Sequence, residues 1–288
     1  MGDDSPVKTC LITGATSGIG KATAQAIAAQ GHRVVIVGRH QAKTEATVAA
    51  LQEATGNPRL DFLVADLSSL TAVRRLAAEF VARYPQLHIL VNNAGAFFLR
   101  RHETVDGLEM TFALNHLSAF LLTNLLLDRL RAAAPSRIVN VTSAMERDAR
   151  PDWDDLQMKR RYNGVQAYAI SKRFNLYFTY ELAQRLQGTG VTVNAVHPGA
   201  VATGIWERPL GRAGAWLRPL LRRWMRSPAE GADTVVYLAL APEVEGISGC
   251  YFVDRRPRSP SQAARDPDAA RRAWLLSAAL AGLPEEEC

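Results

Sequence analysis

The chain has 288 residues, 48% of them hydrophobic and 22% charged, which supplies one sizeable core and excludes a wholly disordered polymer. Its 34 basic and 28 acidic residues leave a formal charge of +6, and most of that excess lies between Trp206 and Arg226, so a dispersed nucleic-acid-tracking surface is not expected. Three widely spaced cysteines, Cys10, Cys250 and Cys288, exclude a disulfide framework and a paired-cysteine metal site and fit a reducing cytoplasm.

The first residues, Met1 to Pro6, are acidic and hold no apolar stretch, so neither a secretory signal nor an anchor is expected. Thr9–Thr13 reads as a first strand and Ile19–Gln30 as a first helix. Between them stands Thr13-Gly14-Ala15-Thr16-Ser17-Gly18-Ile19-Gly20. At a strand-to-helix junction such glycines let the backbone approach a pyrophosphate, while free N–H groups of Thr16, Ser17 and Ile19 and the helix dipole receive the charge. The alternative is a plain tight turn. Lys21 stands just inside the helix, where it could face the phosphates.

Arg33–Val37 follows as a second strand, with the continuous apolar run of a strand covered on both faces, and Gln41–Ala54 as a second helix. At the end of that strand, where an NAD-specific protein usually carries an acid, stands Arg39, whose forked guanidinium suits a 2′-phosphate. NADP(H) is therefore the expected cofactor. Lys43, one turn on, either adds to this charge or belongs to a solvated helix face. Leu60–Ala65 is the third strand, and Asp66-Leu67 at its end is expected to border the adenine while Asp66 caps a helix beginning near Ser68. Leu70–Tyr84, Leu108–Ala133 and Val165–Gln187 read as helices; Ile89–Asn92, Arg137–Thr142, Thr192–Val196 and Gly249–Val253 as strands.

Strand–helix alternation of this kind implies crossover units. The expected fold is a single-domain α/β Rossmann-type doubly wound sheet of about seven parallel strands in the order 3-2-1-4-5-6-7, with helices on both faces. The pattern fails at 147–164 and 203–227, both after strands ending on the carboxyl edge where ligands bind, so these are the expected substrate-pocket walls. The stretch from Phe112 to Leu130 is broken by Asn115, His116, Asn124 and Asp128, as in a buried helix.

Tyr168 and Lys172 lie four apart on one helix, one turn from each other. A nearby ammonium is expected to acidify the phenol for proton exchange with an alcohol or carbonyl. Ser143, at the end of the fifth strand, is placed to donate to the reacting oxygen. The Asn115 amide could hold a water joining Lys172 to solvent, or be an ordinary buried amide; His116 reads as packing or a local hydrogen bond.

From Lys8 to about Val253 the sequence resembles the short-chain dehydrogenase/reductase superfamily. The resemblance lies in Gly14-x3-Gly18-x-Gly20, Asp66, Asn92-Asn93-Ala94-Gly95, Asn115, Ser143, Tyr168-x3-Lys172 and Asn194-Ala195-Val196-His197-Pro198-Gly199. It implies that Tyr168 is the general acid/base, that Lys172 holds the nicotinamide ribose, that Ser143 polarises the reacting oxygen and that Asn115 completes a proton relay. It also implies that Asn93, Ala94 and Gly95 line the cofactor floor, with Pro198, Gly199, Val201 and Thr203 beside the nicotinamide. Within the superfamily it is similar to the retinol-dehydrogenase branch, through Asp154-Asp155-Leu156, Asn163-Gly164, Glu181 to Leu186, Ser248-Gly249 and Ala270 to Trp274. The activity so implied is NADP(H)-dependent interconversion of a lipophilic alcohol and its carbonyl, in the direction of reduction. A steroid or secondary-metabolite ketone reductase is the alternative within enzymes. A non-catalytic NADP(H)-sensing regulator is the alternative outside them, with no use for Ser143, Tyr168 and Lys172 together.

Residues 203–227 are expected to form a lid. In Trp216 to Arg226 the apolar Leu217, Leu220, Leu221 and Trp224 fall at helical spacing among four arginines. Such a helix fits over a greasy substrate, on an anionic membrane surface as a peripheral contact through 206–226, or against its own protein or a homodimer partner. Residues 254–288 are expected to be a C-terminal extension with a helix.

Overall fold

The computed structural model describes residues 6–201 and 225–284. Val34, Val35, Ile36 and Val37 are wholly buried in strand β2 (Arg33–Gly38), because branched side chains on both faces suit a strand sandwiched between two helix layers. β2 pairs in parallel with β1 (Thr9–Thr13), and β1 on its other side with β4 (Ile89–Asn92). With β3 (Leu60–Val64), β5 (Ser136–Val141), β6 (Val191–Val196), β7 (Cys250–Val253) and β8 (Arg256–Arg258) the sheet runs β3-β2-β1-β4-β5-β6-β7-β8. The expected order of seven parallel strands stands. The eighth is an addition, antiparallel to β7 across a two-residue turn in which Asp254 and Arg255 both take positive φ, 52° and 57°.

Among the described residues, three helices cover one face: α1 (Gly18–Ala28), α2 (Gln41–Thr55) and α6 (Pro228–Leu240), against a core of Ile12, Ile27, Ile36, Val91 and Val235. The other face carries α3 (Leu70–Arg83), α4 (Met110–Ala132), α5 (Gly164–Arg185) and α7 (Pro267–Ala281) around Phe80, Phe120, Phe178 and Trp274. The expected C-terminal helix is thus α7, and α6 is a helix the strand–helix pattern had not supplied. α4 is long and apolar enough by length and composition to cross a membrane, but 72% of its most apolar 18-residue window is buried among the other elements.

The two irregular segments have different outcomes. After a short 3₁₀ turn (Ala144–Asp148), residues 149–163 form a chain of turns, anchored by buried Ala149 and Leu156 and by Trp153 and Met158 against the α4–α5 core. Most of the expected lid, with Thr203 and the basic stretch from Trp206, lies outside the described residues, as does Cys288.

Candidate active site

The crossover between β1 and β4 puts their carboxyl ends side by side, and two loops interlock there. Gly14, at φ +66°, lies so close to the β4 loop that a Cβ on it would be 2.8 Å from Ala94 Cα; a Cβ on Gly20 would be 2.4 Å from Asn93 Nδ2. These glycines therefore allow a close backbone approach that a side chain forbids. Thr13 Oγ1 accepts the N–H groups of Asn93 and Ala94, each at 3.0 Å, and Asn93 Nδ2 donates to Thr13 O at 2.8 Å. Buried Asn92 reaches Asn140 Oδ1 at 2.8 Å and Thr123 Oγ1 at 2.9 Å, and so fixes the start of the β4 loop from below.

Ser17 stands at the head of α1 without a side-chain hydrogen bond to the helix, and no acid lies in the first turn. By contrast α3, α5, α6 and α7 are capped by Ser69, Asn163, Ser227 and Asp266. An uncapped N-terminus behind a glycine loop fits a pyrophosphate. Thr16 packs on the end of β2, where a Cβ on Gly38 would lie 2.6 Å from its Cγ2, and exposed Arg39 follows at once, with Lys43 exposed in the first turn of α2. Together these residues fit a dinucleotide. Leu67 is buried, whereas Asp66 is exposed and accepts from Ser68 N at 3.0 Å and Ser68 Oγ at 2.7 Å. The expected cap on the next helix is corrected: Ser69 performs it, because the chain turns once more before α3 begins. On the far side Ile19 and Val201 both pack on Gly231 of α6, and Gly199, at φ +85°, packs on Arg226, beside buried Pro198. Arg226 is itself held by Asp254 at 2.5 Å.

The reacting groups expected from sequence converge at the end of β5. Tyr168 and Lys172 are buried on α5, with Lys172 Nζ 5.5 Å from the centre of the Tyr168 ring and donating to Val141 O at 3.1 Å. Thr142 Oγ1 donates to Lys172 O at 2.8 Å, stitching the helix to the strand. Ser143 hydrogen-bonds the Tyr168 hydroxyl and caps the 3₁₀ turn by accepting from Met145 N at 3.3 Å. Phe97 stands edge-on to Tyr168, ring centres 5.9 Å apart. The expectation of a phenol acidified by the neighbouring amine is corrected. Burial pushes Tyr168 up to about 12, against the Ser143 bond that pulls it down. Burial also draws Lys172 down to about 8. Desolvation of both groups outweighs their mutual influence.

Asn115 sits in a wide π-turn, Ala113–Leu117, inside α4. Its Oδ1 accepts Ala96 N at 2.8 Å, and its Nδ2 donates to Ala96 O at 2.9 Å and Ser171 Oγ at 3.1 Å. The amide thus clamps the β4 loop to α5, and both Asn115 Oδ1 and Lys172 Nζ lie against Gly95.

His116 is no local contact: its ring spans from Asn175 on α5 to Ser277 on α7. Full burial holds it down to about 4, against an ordinary value of 6.5. The native state therefore resists the proton that the unfolded chain accepts, so this contribution to stability is whole above pH 6.5 and is lost as pH falls toward 4. We expect about 3 kcal/mol to disappear across that window. Urea unfolding at pH 7 and pH 4.5 should show a smaller acid loss for His116→Asn than for the parent; equal losses would refute it. The sequence reading also missed Glu146 and Arg173, a buried pair at 3.7 Å beneath Ser143, with the Glu146 carboxylate further bound by Ser261 N and Oγ at 2.8 and 2.6 Å.

A family profile described as short chain dehydrogenase matches residues 8–210. Retinol dehydrogenase 13 of Homo sapiens is 42% identical over 284 residues, covering 96% of this chain and 86% of its own length. Retinol dehydrogenase 14 of Homo sapiens is 40% identical over 297 residues, covering 96% and 87% respectively. The crystal structure of an uncharacterized protein from Mycobacterium paratuberculosis matches with a TM-score of 0.78 at 30% identity, over 98% of this chain and 97% of that one. With a doubly wound sheet, an interlocked glycine loop and the Ser143–Tyr168–Lys172 cluster at its carboxyl edge, the chain belongs to the short-chain dehydrogenase family, in its retinol-dehydrogenase-like branch, and is an oxidoreductase acting on CH–OH groups.

Proposed function

We propose that this protein is an NADP(H)-dependent reductase of lipophilic aldehydes or ketones. The observation that carries the reading is the buried Tyr168 phenol, hydrogen-bonded to Ser143 and one turn from Lys172. With its pKa pushed up to about 12, the phenol is protonated at neutral pH, the form needed to donate to a carbonyl oxygen. When bound, NADPH supplies a hydride to the carbonyl carbon. Tyr168 gives its proton to the oxygen, Ser143 donates a hydrogen bond to the same oxygen as charge gathers there, and Lys172, on the same helix face, stabilises the phenolate left behind. Asn115 holds the β4 loop and α5 in register beneath them. Solvent returns the proton to Tyr168, which closes the cycle.

The cofactor would lie over Gly14, Gly18, Gly20, Asn93, Ala94 and Gly95, its pyrophosphate at the head of α1 and its 2′-phosphate toward Arg39. The names of the relatives support a retinoid-like substrate; a steroid or secondary-metabolite ketone is the second choice. Free thiols at buried Cys10 and half-buried Cys250 support a cytoplasmic setting. A peripheral membrane contact through 206–226 and a homodimer remain part of the proposal.

The test is NADPH and NADH oxidation against retinals, long-chain aldehydes and steroid ketones, with the parent and Arg39→Asp. We expect the parent to favour NADPH, and the variant to lose about 30-fold in kcat/KM for NADPH while NADH changes little, as the loss of a charge-assisted phosphate contact requires. Equal losses with both nucleotides would contradict the role of Arg39.

A further inference from the structure

A chain of buried polar contacts, unused by the reacting groups, runs from the catalytic cluster to the C-terminal helix. His116 lies among the rings of Phe112, Phe120, Phe174 and Phe178, in surroundings that favour an apolar side chain. Its Nδ1 nevertheless stands 3.1 Å from Asn175 Oδ1 and its Nε2 2.8 Å from Ser277 Oγ. Asn175 Nδ2 donates to the Asn115 carbonyl at 3.0 Å. That donation decides which way the Asn175 amide points, so its oxygen faces the imidazole and the ring hydrogen belongs on Nδ1. Nε2 is then the acceptor, facing the Ser277 hydroxyl, whose single hydrogen points either to it or to Ala273 O, 2.7 Å away, but not to both at once. All four residues, Asn115, His116, Asn175 and Ser277, are buried.

The carbonyl at the end of this chain belongs to the π-turn that aims Asn115. A π-turn holds one residue more than an α-turn, and relaxing it would rotate the side chains beyond it by about 100°. Asn115 would then lose Ala96 and Ser171 together. We propose that His116 and Asn175 are positioning residues that, braced from α7 by Ser277, hold this turn in the register in which Asn115 clamps the β4 loop beside Lys172. The inference rests on the reading of Tyr168 and Lys172 given above, and it makes the C-terminal helix a working part of the site.

The experiment compares His116→Leu with His116→Asn, reading kcat, KM, the NADPH Kd by fluorescence titration, and the melting temperature. Leucine suits the aromatic cage but cannot donate; asparagine can donate to Asn175 Oδ1 but fills the cage poorly. The leucine variant is expected to melt within about 5 °C of the parent, yet to lose about 30-fold in kcat and to raise the NADPH Kd about fivefold, the cost of a displaced clamp. The asparagine variant is expected to melt lower and keep kcat and Kd within about threefold of the parent. Should the leucine variant fail to fold, Asn175→Ser replaces it with the same expected losses. Turnover and Kd that follow melting temperature, with asparagine worse than leucine, overturn the proposal, as does a leucine or Asn175→Ser variant indistinguishable from the parent. Because Kd is read without turnover, a failure of the Tyr168 assignment leaves this test standing.

Discussion

Tyr168→Phe is expected to lose at least about 10³-fold in kcat while its NADPH affinity stays within about threefold of the parent, since it removes the proposed general acid and almost no binding surface. Tyr168 is buried, and its hydroxyl is bonded to Ser143, so the variant deletes one oxygen from a packed site without opening it to solvent. The edge-on contact with Phe97 keeps the ring in place. Lys172 Nζ remains bonded to Val141 O, on the strand side of the helix. Steady-state turnover and fluorescence titration of NADPH check the two halves of the prediction. Full turnover in the variant would remove Tyr168 from the mechanism.

The second large effect is on stability. Arg173→Leu leaves the Glu146 carboxylate, wholly buried, with Ser261 as its partner among the described residues, and also removes the guanidinium that donates to Glu146 O at 3.0 and 2.6 Å. Breaking a buried pair from one side costs about 3–5 kcal/mol, so a fall in melting temperature of about 10 °C is expected. The double variant Glu146→Leu with Arg173→Leu should regain a large part of that loss, since no uncompensated charge is left. Urea unfolding of the parent, the two single variants and the double variant closes the cycle. A single variant as stable as the parent would show that the pair does not hold the Ser143 turn.

Much of this molecule is legible in its sequence for a physical reason: short-range chemistry writes itself into spacing. Val34 to Val37 announces a strand covered on both faces, and Gly14 and Gly20 announce a loop that must approach something closely. Tyr168 and Lys172 announce a shared helix face. What is illegible depends on partners far apart in the chain. His116 looks like packing until Ser277, 161 residues later, is found against its ring. Glu146 gives no sign of Arg173 or Ser261. The phenol's acidity is illegible for the same reason: spacing reveals the amine but not the burial of both groups, which dominates. Helix α6 was a different kind of miss. Ser227-Pro228-Ala229-Glu230 is a capping box with proline at the first helical position, and both reciprocal bonds form, 3.2 Å from Glu230 N to Ser227 Oγ and 2.7 Å from Ser227 N to Glu230 Oε2. The β7–β8 turn lacks the Asn-Gly signature of its type, and Asp254 and Arg255 are instead held by Arg226 and Asp233.

The central claim is that these residues bring a carbonyl and a reduced nicotinamide together so that Tyr168 can complete the reduction. It is met most directly by supplying NADPH deuterated at the transferring C4 position and weighing the alcohol formed from a retinal or long-chain aldehyde. The account predicts one deuterium on the former carbonyl carbon, with labelled alcohol forming at least about 10³-fold more slowly when Tyr168 is phenylalanine. Alcohol formed without the label, or labelled alcohol formed equally well by the variant, would contradict it.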